Sequence, residues 1–466
     1  MTEPLTHVVL NTEVPGPLTR QALDRQRLVE SGAVSYPRRL PVAVRRASGS
    51  HVEDLDGNVF LDFLTGAGSL PLGHGHPEVL AAATRQMASH CHGLDFPSEA
   101  KQQFTAGMLA TLPPDMRDYK VHFCAPTGAD AIEAALKLCK LYTRADEVIS
   151  FQGGYHGCTT GAMSVTGLRS AKQHVGNRMP GVHFFPYSHC SACPLGLQKK
   201  DCAVNCIGLL EHALDDPNSG LGRPAAVLLE MVQGEGGVVP AQPEFVRRLR
   251  AVTARHQIPL VVDEIQTGCG RTGTWFAFEQ YGIEPDVVVV SKGLSGLGLP
   301  VSLMFYRRKM DVWTAGAHIG TFRGNQVAFA AGVAALEVYA RERVLDNVRR
   351  RGRELKDGLE DLARTHALVR NVRGLGLMLG FDVVDPATGR PSRPMAALFQ
   401  SAALARGLIL ELGGRDDTVV RLLPALNLTA QDLQVALRIV REVAAELMRR
   451  HRTAEVAEAG PVEYSI

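Results

Sequence analysis

The chain lacks both a long hydrophobic run and an excess of charge of one sign. It has 466 residues, of which 45% are hydrophobic, and its 50 Lys and Arg residues nearly balance 48 Asp and Glu residues. No segment approaches the roughly 18 uninterrupted apolar residues that a membrane span requires. A net charge of +2 with only 6% aromatic residues gives no reason to expect nucleic acid or an anionic membrane as the main partner. We therefore expect neither partner.

The chain also lacks the pattern of an export signal, because no basic patch followed by an apolar stretch occurs near its first residue. Its cysteine count is nine, an odd number. Together these features favour reduced thiols over a disulfide framework. They predict a cytoplasmic protein.

The pattern of apolar residues predicts three segments, with no internal repeat and no low-complexity tract. Residues 1–70 contain a helix-like stretch and two alternating runs separated by Asp-Gly, which predicts an arm and small-domain strands. Over residues 71–335, strand-like runs alternate with helix-like stretches, which predicts a large α/β domain with a mainly parallel sheet flanked by helices. Residues 336–466 combine long amphipathic stretches with shorter strands, which predicts a smaller α+β domain.

Two charged residues follow two predicted buried strands. Lys292 comes just after VVVV, and Asp263 ends LVVD. Open α/β sheets bind ligands outside the carboxyl ends of their strands, so an amine and a carboxylate at two such ends can share one ligand. We expect that ligand to be pyridoxal phosphate: Lys292 would condense with its aldehyde and later move a proton, and Asp263 would keep the ring nitrogen protonated. Taken alone, Lys292 also fits a surface lysine, and Asp263 with Glu264 also fits a turn cap.

Further residues complete this hypothesis. Thr127 and Asp130 have the spacing of a capping box around Gly128 and Ala129, at the start of a strongly helical stretch, so the backbone there would bind a phosphate. A plain capped helix explains the same residues. Other residues suited to the cofactor are Gln266 as a donor to the ring hydroxyl, Tyr155 as an aromatic ring stacked on the pyridine, and His156 in a secondary role.

Arg421 and Glu230 are candidates for substrate binding. Arg421 lies in VVRLLP, and a guanidinium matches a carboxylate with two parallel hydrogen bonds. Glu230 ends the strand-like run AAVLLE and would neutralise Arg421 when no substrate carboxylate is bound. A structural ion pair is the alternative explanation.

The motifs carry a resemblance to a known family over nearly the whole chain. The chain resembles the class III, or omega, aminotransferases of pyridoxal-phosphate-dependent fold type I, and within them the diaminobutyrate–2-oxoglutarate aminotransferases. The segments that carry the resemblance are RQRLVESGAVSYPRRLPVA, LTGAGSLPLGHGHPEV, PTGADAIEAALKL, GGYHG, MVQGEGG, VVDEIQTGCGRTG, SKGLSGLGLPVSL and GTFRGNQVAF.

By the matching positions, the resemblance implies that Lys292 bonds to the cofactor, Asp263 pairs with its ring nitrogen and Gln266 contacts its ring hydroxyl. It also implies a homodimer with shared active sites, in which Thr321 is lent to the phosphate group of the neighbouring subunit. Gly128 and Ala129 would form the phosphate cup, although Ala129 stands where relatives often have a serine or threonine hydroxyl. A phosphate hydrogen bond would then be missing or supplied by water.

For the substrate side, the resemblance implies that Arg421 binds a carboxylate of 2-oxoglutarate or glutamate and that Glu230 is its switching partner. The implied reaction transfers the terminal amino group between L-glutamate and L-aspartate 4-semialdehyde, giving L-2,4-diaminobutyrate and 2-oxoglutarate. The alternatives are another amino donor (ornithine, 4-aminobutyrate or lysine), a racemase on the same fold, and a catalytically silent binding protein.

A cysteine-rich segment lies outside this constellation. Cys190, Cys193, Cys202 and Cys206 have the spacing CxxC followed by CxxxC within what resembles an insertion. Such a set can hold zinc or an iron–sulfur cluster, or consist of reduced thiols without metal. Transamination needs no metal, so we assign no metal to the active site.

Overall fold

A computed structural model describes residues 4–452 of the chain. The helices of this part are α1 Pro17–Val29, α2 Tyr36–Arg39, α3 Thr65–Gly68, α4 Pro77–Ser89, α5 Glu99–Ala110, α6 Gly128–Thr143, α7 Thr160–Val165, α8 Asn205–Asp215, α9 Pro243–Arg255, α10 Gln326–Arg341, α11 Val344–Thr365, α12 Arg393–Leu404 and α13 Ala430–Arg452. None of these helices is long and apolar enough to cross a bilayer.

The strands of the same residues form four sheets. They are β1 Val44–Ser48, β2 His51–Asp54, β3 Val59–Asp62, β4 Lys120–Phe123, β5 Glu147–Phe151, β6 Val182–Phe185, β7 Pro224–Glu230, β8 Val232–Gln233, β9 Val239–Pro240, β10 Leu260–Asp263, β11 Val287–Val290, β12 Leu303–Tyr306, β13 Val369–Leu375, β14 Met378–Val383, β15 Leu408–Ile409, β16 Glu411–Gly413 and β17 Val419–Leu422.

The chain divides into two compact units. The first contains residues 1–68, 72–76 and 347–466, and the second contains residues 69–71 and 77–346. The sequence-based boundary at residue 70 falls close to the first change between units. The boundary at residue 335 falls inside α10. Residues 1–3 and 453–466 of the predicted arm and C-terminal domain lie outside the described residues. The three-domain division stays a prediction.

The second unit is built on a seven-stranded sheet of order β4-β12-β11-β10-β7-β5-β6. β12 runs antiparallel to both of its neighbours, and the other neighbouring pairs are parallel. This is the mainly parallel sheet expected from the alternation of strands and helices. Because the strands run the same way, β7, β10 and β11 all end at one edge of the sheet.

The central strands of this sheet are buried on both faces, which explains their continuous apolar sequences. In β11, Val288 and Val290 belong to one hydrophobic core. Val287 and Val289 belong to another core. Successive side chains of a strand point to opposite faces, so each core covers one face of the sheet. α6 contributes to the second core through Ala131, Ile132, Ala135, Leu138 and Cys139.

The first unit combines segments from the N-terminal and C-terminal parts of the sequence. Its hairpin β2–β3 is antiparallel, with His51 opposite Leu61. The C-terminal strand β15 adds to β3 in parallel, so residues more than 300 positions apart share one sheet. A second four-stranded sheet has the order β13-β14-β17-β16, and β17 pairs antiparallel with both of its neighbours. This sheet holds Arg421.

Candidate active site

Three strand ends position the charged residues of the second unit. β7 ends at Glu230 and β10 ends at Asp263, and these two residues are opposite each other in the register. β11 lies on the other side of β10, with Val289 opposite Asp263. Lys292 follows the end of β11 by two residues. The parallel register therefore brings the predicted amine and carboxylate to the same edge of the sheet.

A cavity of about 230 Å³ opens at this edge. It lies entirely within the second unit. Eight of the ten predicted site residues line it, and they are Gly128, Ala129, Tyr155, His156, Glu230, Asp263, Gln266 and Lys292. Thr127, Gly157, Cys158, Glu235 and Ile265 complete the lining. The structure thus brings together predicted residues that are separated by up to 164 positions in the sequence, from Gly128 to Lys292.

Lys292 has an unusual backbone conformation. It begins the 3₁₀ turn Lys292–Ser295, and its φ is 44°. Left-handed backbone is unfavourable for a residue with a side chain, and such strain persists only where the surrounding structure imposes it. The turn directly follows a fully buried strand, so the position of Lys292 is set by the sheet.

Asp263 is buried and held at both carboxylate oxygens. Its Oδ2 lies 2.7 Å from Nδ1 of His156. Its Oδ1 accepts a hydrogen bond of 3.0 Å from the backbone N–H of Ile265. The neighbouring Glu264 points elsewhere, since it accepts hydrogen bonds from the Thr267 hydroxyl and from the backbone N–H of Phe278. Glu264 thus stabilises the loop that follows β10, whereas Asp263 lines the cavity.

The start of α6 supplies backbone donors to the cavity. The predicted capping box is present: Thr127 N–H donates to Asp130 Oδ2 at 3.0 Å, and Asp130 N–H donates to Thr127 Oγ1 at 3.5 Å. A Cβ atom at Gly128 would lie 2.7 Å from Cδ1 of Ile265. A side chain at this position would have to displace Ile265, and its absence leaves the backbone of the first helical turn bare toward the cavity. Such a helix start favours an anion.

Glu230 is buried at the cavity wall and accepts two backbone hydrogen bonds. Tyr155 N–H donates to its Oε2 and Gly234 N–H donates to its Oε1, both at 3.0 Å. The pKa of Glu230 is raised to about 7 in total. Burial is the main cause, the interaction with His156 partly opposes it, and the charge of Asp263 adds to it. The backbone around Tyr155 is thus tied to the end of β7.

Two predicted residues are not among those that line the cavity. Thr321 is exposed at the start of the 3₁₀ turn Thr321–Gly324, and its carbonyl oxygen lies 2.6 Å from Nε2 of His92. Arg421 belongs to β17 of the first unit, where its Nη1 lies 3.2 Å from Oε2 of Glu411. The roles predicted for Thr321 and Arg421 stay predictions.

Comparison with known proteins identifies the family. The sequence profile described as Aminotransferase class-III matches residues 33–443. The chain belongs to the class III aminotransferase family. It is 47% identical over 421 residues to the diaminobutyrate–2-oxoglutarate aminotransferase of Rhizobium meliloti strain 1021, covering 88% of this chain and 89% of that protein. It is 44% identical to the enzyme of the same name from Haemophilus influenzae, covering 88% and 92% of the two chains.

A solved structure agrees with the assignment. Ornithine aminotransferase from Toxoplasma gondii superimposes with a TM-score of 0.79 at 28% identity, covering 93% of this chain and 96% of that one. The expected enzyme class and the expected α/β fold of type I are thereby confirmed for this aminotransferase.

Sequence reasoning missed some features of the aminotransferase site. Cys158 and Glu235 line the cavity but were not predicted as site residues. Cys158 directly follows the motif GGYHG, and Glu235 lies within QGEGG, so the motifs were the only signal for them. The hydrogen-bond contact between His156 and Asp263 was also missed, because the two residues are 107 positions apart. The only available signal was that each follows a predicted buried strand.

The four cysteines of the cysteine-rich segment lie together in the aminotransferase fold. They line a separate cavity of about 320 Å³ between the end of β6 and the start of α8. All are free thiols. Within residues 4–452, no three Cys, His, Asp or Glu side chains are arranged so that they could hold a metal ion.

Proposed function

We propose that this aminotransferase uses pyridoxal phosphate to move the terminal amino group between L-glutamate and L-aspartate 4-semialdehyde, giving L-2,4-diaminobutyrate and 2-oxoglutarate. The observation that carries the proposal is the convergence of Lys292, Asp263 and the start of α6 on one cavity. An amine, a carboxylate and a bare helix start are the three groups that an aldehyde, a pyridine nitrogen and a phosphate require. The identity of 44–47% to two proteins named for this reaction supports the choice of substrates.

The cavity residues fit the cofactor one by one. The first turn of α6 would hold the phosphate, since the first N–H groups of a helix lack intrahelical partners and Gly128 has no side chain in front of them. Gln266 would donate to the ring hydroxyl, and Tyr155 would lie against the ring. When bound, pyridoxal phosphate stores the electron pair that is released as the substrate loses a proton.

Two residues of this chain do the proton chemistry. The Lys292 amine takes the proton from the substrate carbon and returns it to the acceptor carbon. Asp263 is held in place at the cavity, because His156 and the Ile265 N–H contact both of its oxygens. A carboxylate in this position would favour a proton on a ring nitrogen beside it.

Arg421 would bind a substrate carboxylate, and Glu230 would be its competitor. Arg421 is buried, and a buried guanidinium is stable only when an anion compensates its charge. A substrate carboxylate can replace a protein carboxylate in that role, which allows amino and oxo acids to bind alternately. Because Glu230 has a raised pKa, it can lose its charge at neutral pH more easily than an ordinary carboxyl.

A second copy of the chain would complete the assembly. Phe96, Ile319 and Phe322 are large apolar side chains with exposed fractions of 71%, 74% and 65%. Phe96 lies in one segment, and Ile319 and Phe322 lie in another. A hydrogen bond of 2.9 Å from the N–H of Gly93 to the carbonyl oxygen of Gly324 joins these segments. Exposed apolar groups of this size are typical of protein interfaces. Ile319 and Phe322 flank Thr321 in the sequence, so a homodimer formed here would present Thr321 to the neighbouring subunit.

A donor screen tests the function. The purified holoenzyme is given 2-oxoglutarate with L-2,4-diaminobutyrate, ornithine, 4-aminobutyrate or lysine in turn, and glutamate is quantified by mass spectrometry. We expect the highest kcat/KM with diaminobutyrate. Lys292→Ala should lose essentially all turnover, whereas the matched surface variant Lys309→Ala should keep it. A higher kcat/KM with another donor would replace diaminobutyrate, and no glutamate with any donor would contradict a transaminase.

A further inference from the structure

The loop between β6 and α8 gathers four thiols of the second unit at one place. Cys190, Cys193, Cys202 and Cys206 all line the cavity of about 320 Å³. Cys190 interacts electrostatically with Cys193 and Cys202, and Cys206 interacts with Cys202 and Cys190. All four are free thiols. The two pairs of the CxxC and CxxxC pattern are therefore neighbours in space as well as in sequence.

Each pair of cysteines is carried by a short turn. Cys190 and Cys193 lie at a 3₁₀ turn, and Cys206 lies in the first turn of α8. Sγ of Cys202 accepts a hydrogen bond of 3.4 Å from the backbone N–H of Asn205. Hydrogen bonds of this kind orient the side chains that bind metal ions. The direction of one sulfur atom is thus already set by the start of the helix.

The backbone between Cys202 and Cys206 is strained. Val204 lies there with φ of 55° and ψ of 46°. Left-handed backbone is a rare conformation for a β-branched residue, and it persists only where the surrounding structure imposes it. The carbonyl oxygen of Ala203 accepts a hydrogen bond of 2.8 Å from Nη1 of Arg248 on α9. The turn that carries the second pair is therefore held in a form that its own sequence does not favour.

The loop has little apolar core of its own. Its two 3₁₀ turns, Cys190–Ala192 and Lys199–Asp201, contain no buried residue. The side chain of Leu195 has an exposed fraction of 37%. A short segment that buries few apolar groups needs a cross-link to stay in one conformation, and a structural metal ion is one of the usual cross-links. The four thiols can supply its ligands.

The spacing of the cysteines favours zinc over an iron–sulfur cluster. Pairs separated by two to four residues are typical of structural zinc sites, and both pairs fall in that range. Iron–sulfur clusters use runs such as C-x₂-C-x₂-C-x₃-C. The eight residues between Cys193 and Cys202 interrupt such a run.

The charged residues of the cavity also suit zinc bound to thiolates, since one zinc ion with four thiolates carries a net charge of −2. Lys199, Arg247 and Glu244 line the cavity. Arg247 pairs with Glu244 at 2.5 Å, which leaves the charge of Lys199. Lys199 interacts electrostatically with Cys190. Its ammonium would offset part of the negative charge of the complex.

We propose that Cys190, Cys193, Cys202 and Cys206 form a structural zinc site that cross-links this loop and takes no part in transamination. Among residues 4–452, no three Cys, His, Asp or Glu side chains already form a metal-binding group, so the sulfur atoms turn toward the ion as it binds. They do so because a coordinating thiol loses its proton, and a thiolate is attracted to Zn²⁺. The protons pass to the solvent, and no electron is transferred because zinc is not redox-active.

The experiment measures zinc on the reduced, tag-free holoenzyme. The protein is incubated with Zn²⁺ and a phosphine reductant, desalted, and analysed by inductively coupled plasma mass spectrometry. We expect about one zinc ion per chain, because four cysteines complete one tetrahedral site. Cys202→Ser and Cys206→Ser should each lose most of this zinc. The matched control is Cys91→Ser, which changes an exposed thiol outside the cavity and should keep it.

Two measurements on the wild type need no variant to fold. Co²⁺ in place of Zn²⁺ should give an intense absorption in the red region, where pyridoxal phosphate does not absorb, because thiolates hold it in a tetrahedral site. The zinc-loaded protein should also have a higher Tm than protein treated with a chelator, since an ion that binds the folded state stabilises it.

The proposal would be overturned if the wild type bound no zinc and gave no cobalt band. Zinc retained by both serine variants, iron found in place of zinc, or a Tm unaffected by the chelator would also overturn it. Disulfide bonds among the four cysteines in protein purified without a reductant, seen as a loss of about 2 Da per bond in the intact mass, would count against it as well. None of these outcomes depends on which amino donor the enzyme uses.

Discussion

Nδ1 of His156 lies 2.7 Å from Oδ2 of Asp263, and both side chains are buried. His156 follows β5 and Asp263 ends β10, so the contact joins two strands that are separated in the sheet by β7. Glu230, at the end of β7, interacts electrostatically with both residues. The carboxylate proposed to act on the cofactor is therefore part of a buried network of three titratable side chains.

Replacing His156 should reduce catalysis more than cofactor binding. In His156→Asn, Asp263 loses the ring that orients its Oδ2, and loss of such an orienting partner reduces activity by about 10- to 100-fold. We expect kcat/KM to fall within that range while the absorption of bound pyridoxal phosphate persists. The exposed His212→Asn is the matched control. A kcat/KM within twofold of wild type would show that His156 does not position Asp263.

Adding a hydroxyl at the phosphate cup should strengthen cofactor binding. Ala129 lies in the first turn of α6 and lines the cavity. Ala129→Ser would add one donor toward the phosphate, which stabilises binding by about 1 kcal/mol, or roughly fivefold in the dissociation constant. The measurement is a titration of apoenzyme with pyridoxal phosphate, with Ala145→Ser beyond the other end of the helix as the control. An unchanged or larger dissociation constant would argue against a phosphate at this turn.

Glu264 should make stability depend on pH near neutrality. Burial raises the pKa of this carboxyl to about 7, against an ordinary value of 4.5. The unfolded chain therefore loses the proton first as the pH rises, so this group reduces stability progressively between about pH 4.5 and 7. The total effect is on the order of 3 kcal/mol.

Glu264→Gln removes this titration and should become more stable relative to wild type as the pH rises through that window. Thermal denaturation midpoints at pH 5, 6, 7 and 8 measure the difference. Glu337→Gln, on the exposed face of α10, is the matched control and should show no such trend. A difference between Glu264→Gln and wild type that stays constant with pH would be inconsistent with a raised pKa.

Hybrid dimers can test whether Thr321 acts in the neighbouring active site. Thr321→Asp should repel a phosphate and abolish activity when present in both subunits, as Lys292→Ala should through loss of the amine. In a hybrid of the two variants, one site would combine an intact Lys292 with an intact Thr321 from the other subunit. We therefore expect co-expression to restore activity. A hybrid dimer without activity would place Thr321 in the site of its own subunit.

Local sequence determined much of this protein. The four consecutive valines of β11 predicted a strand buried on both faces, and the strand forms, because only apolar side chains can cover both faces of a central strand. Thr127 and Asp130 predicted the start of α6, because a capping box needs only residues within one turn. Lys292 and Asp263 could be predicted as neighbours because parallel strands end at one edge of a sheet.

Only the tertiary structure decided which side chains meet. The contact of His156 with Asp263 spans 107 positions, and the register that sets Asp263 beside Glu230 depends on how two distant strands pair. Arg421 faces Glu411 because β16 and β17 pair in one particular register. A shift of one residue would turn each side chain to the other face, and register depends on packing against the whole core, which no short stretch of sequence contains.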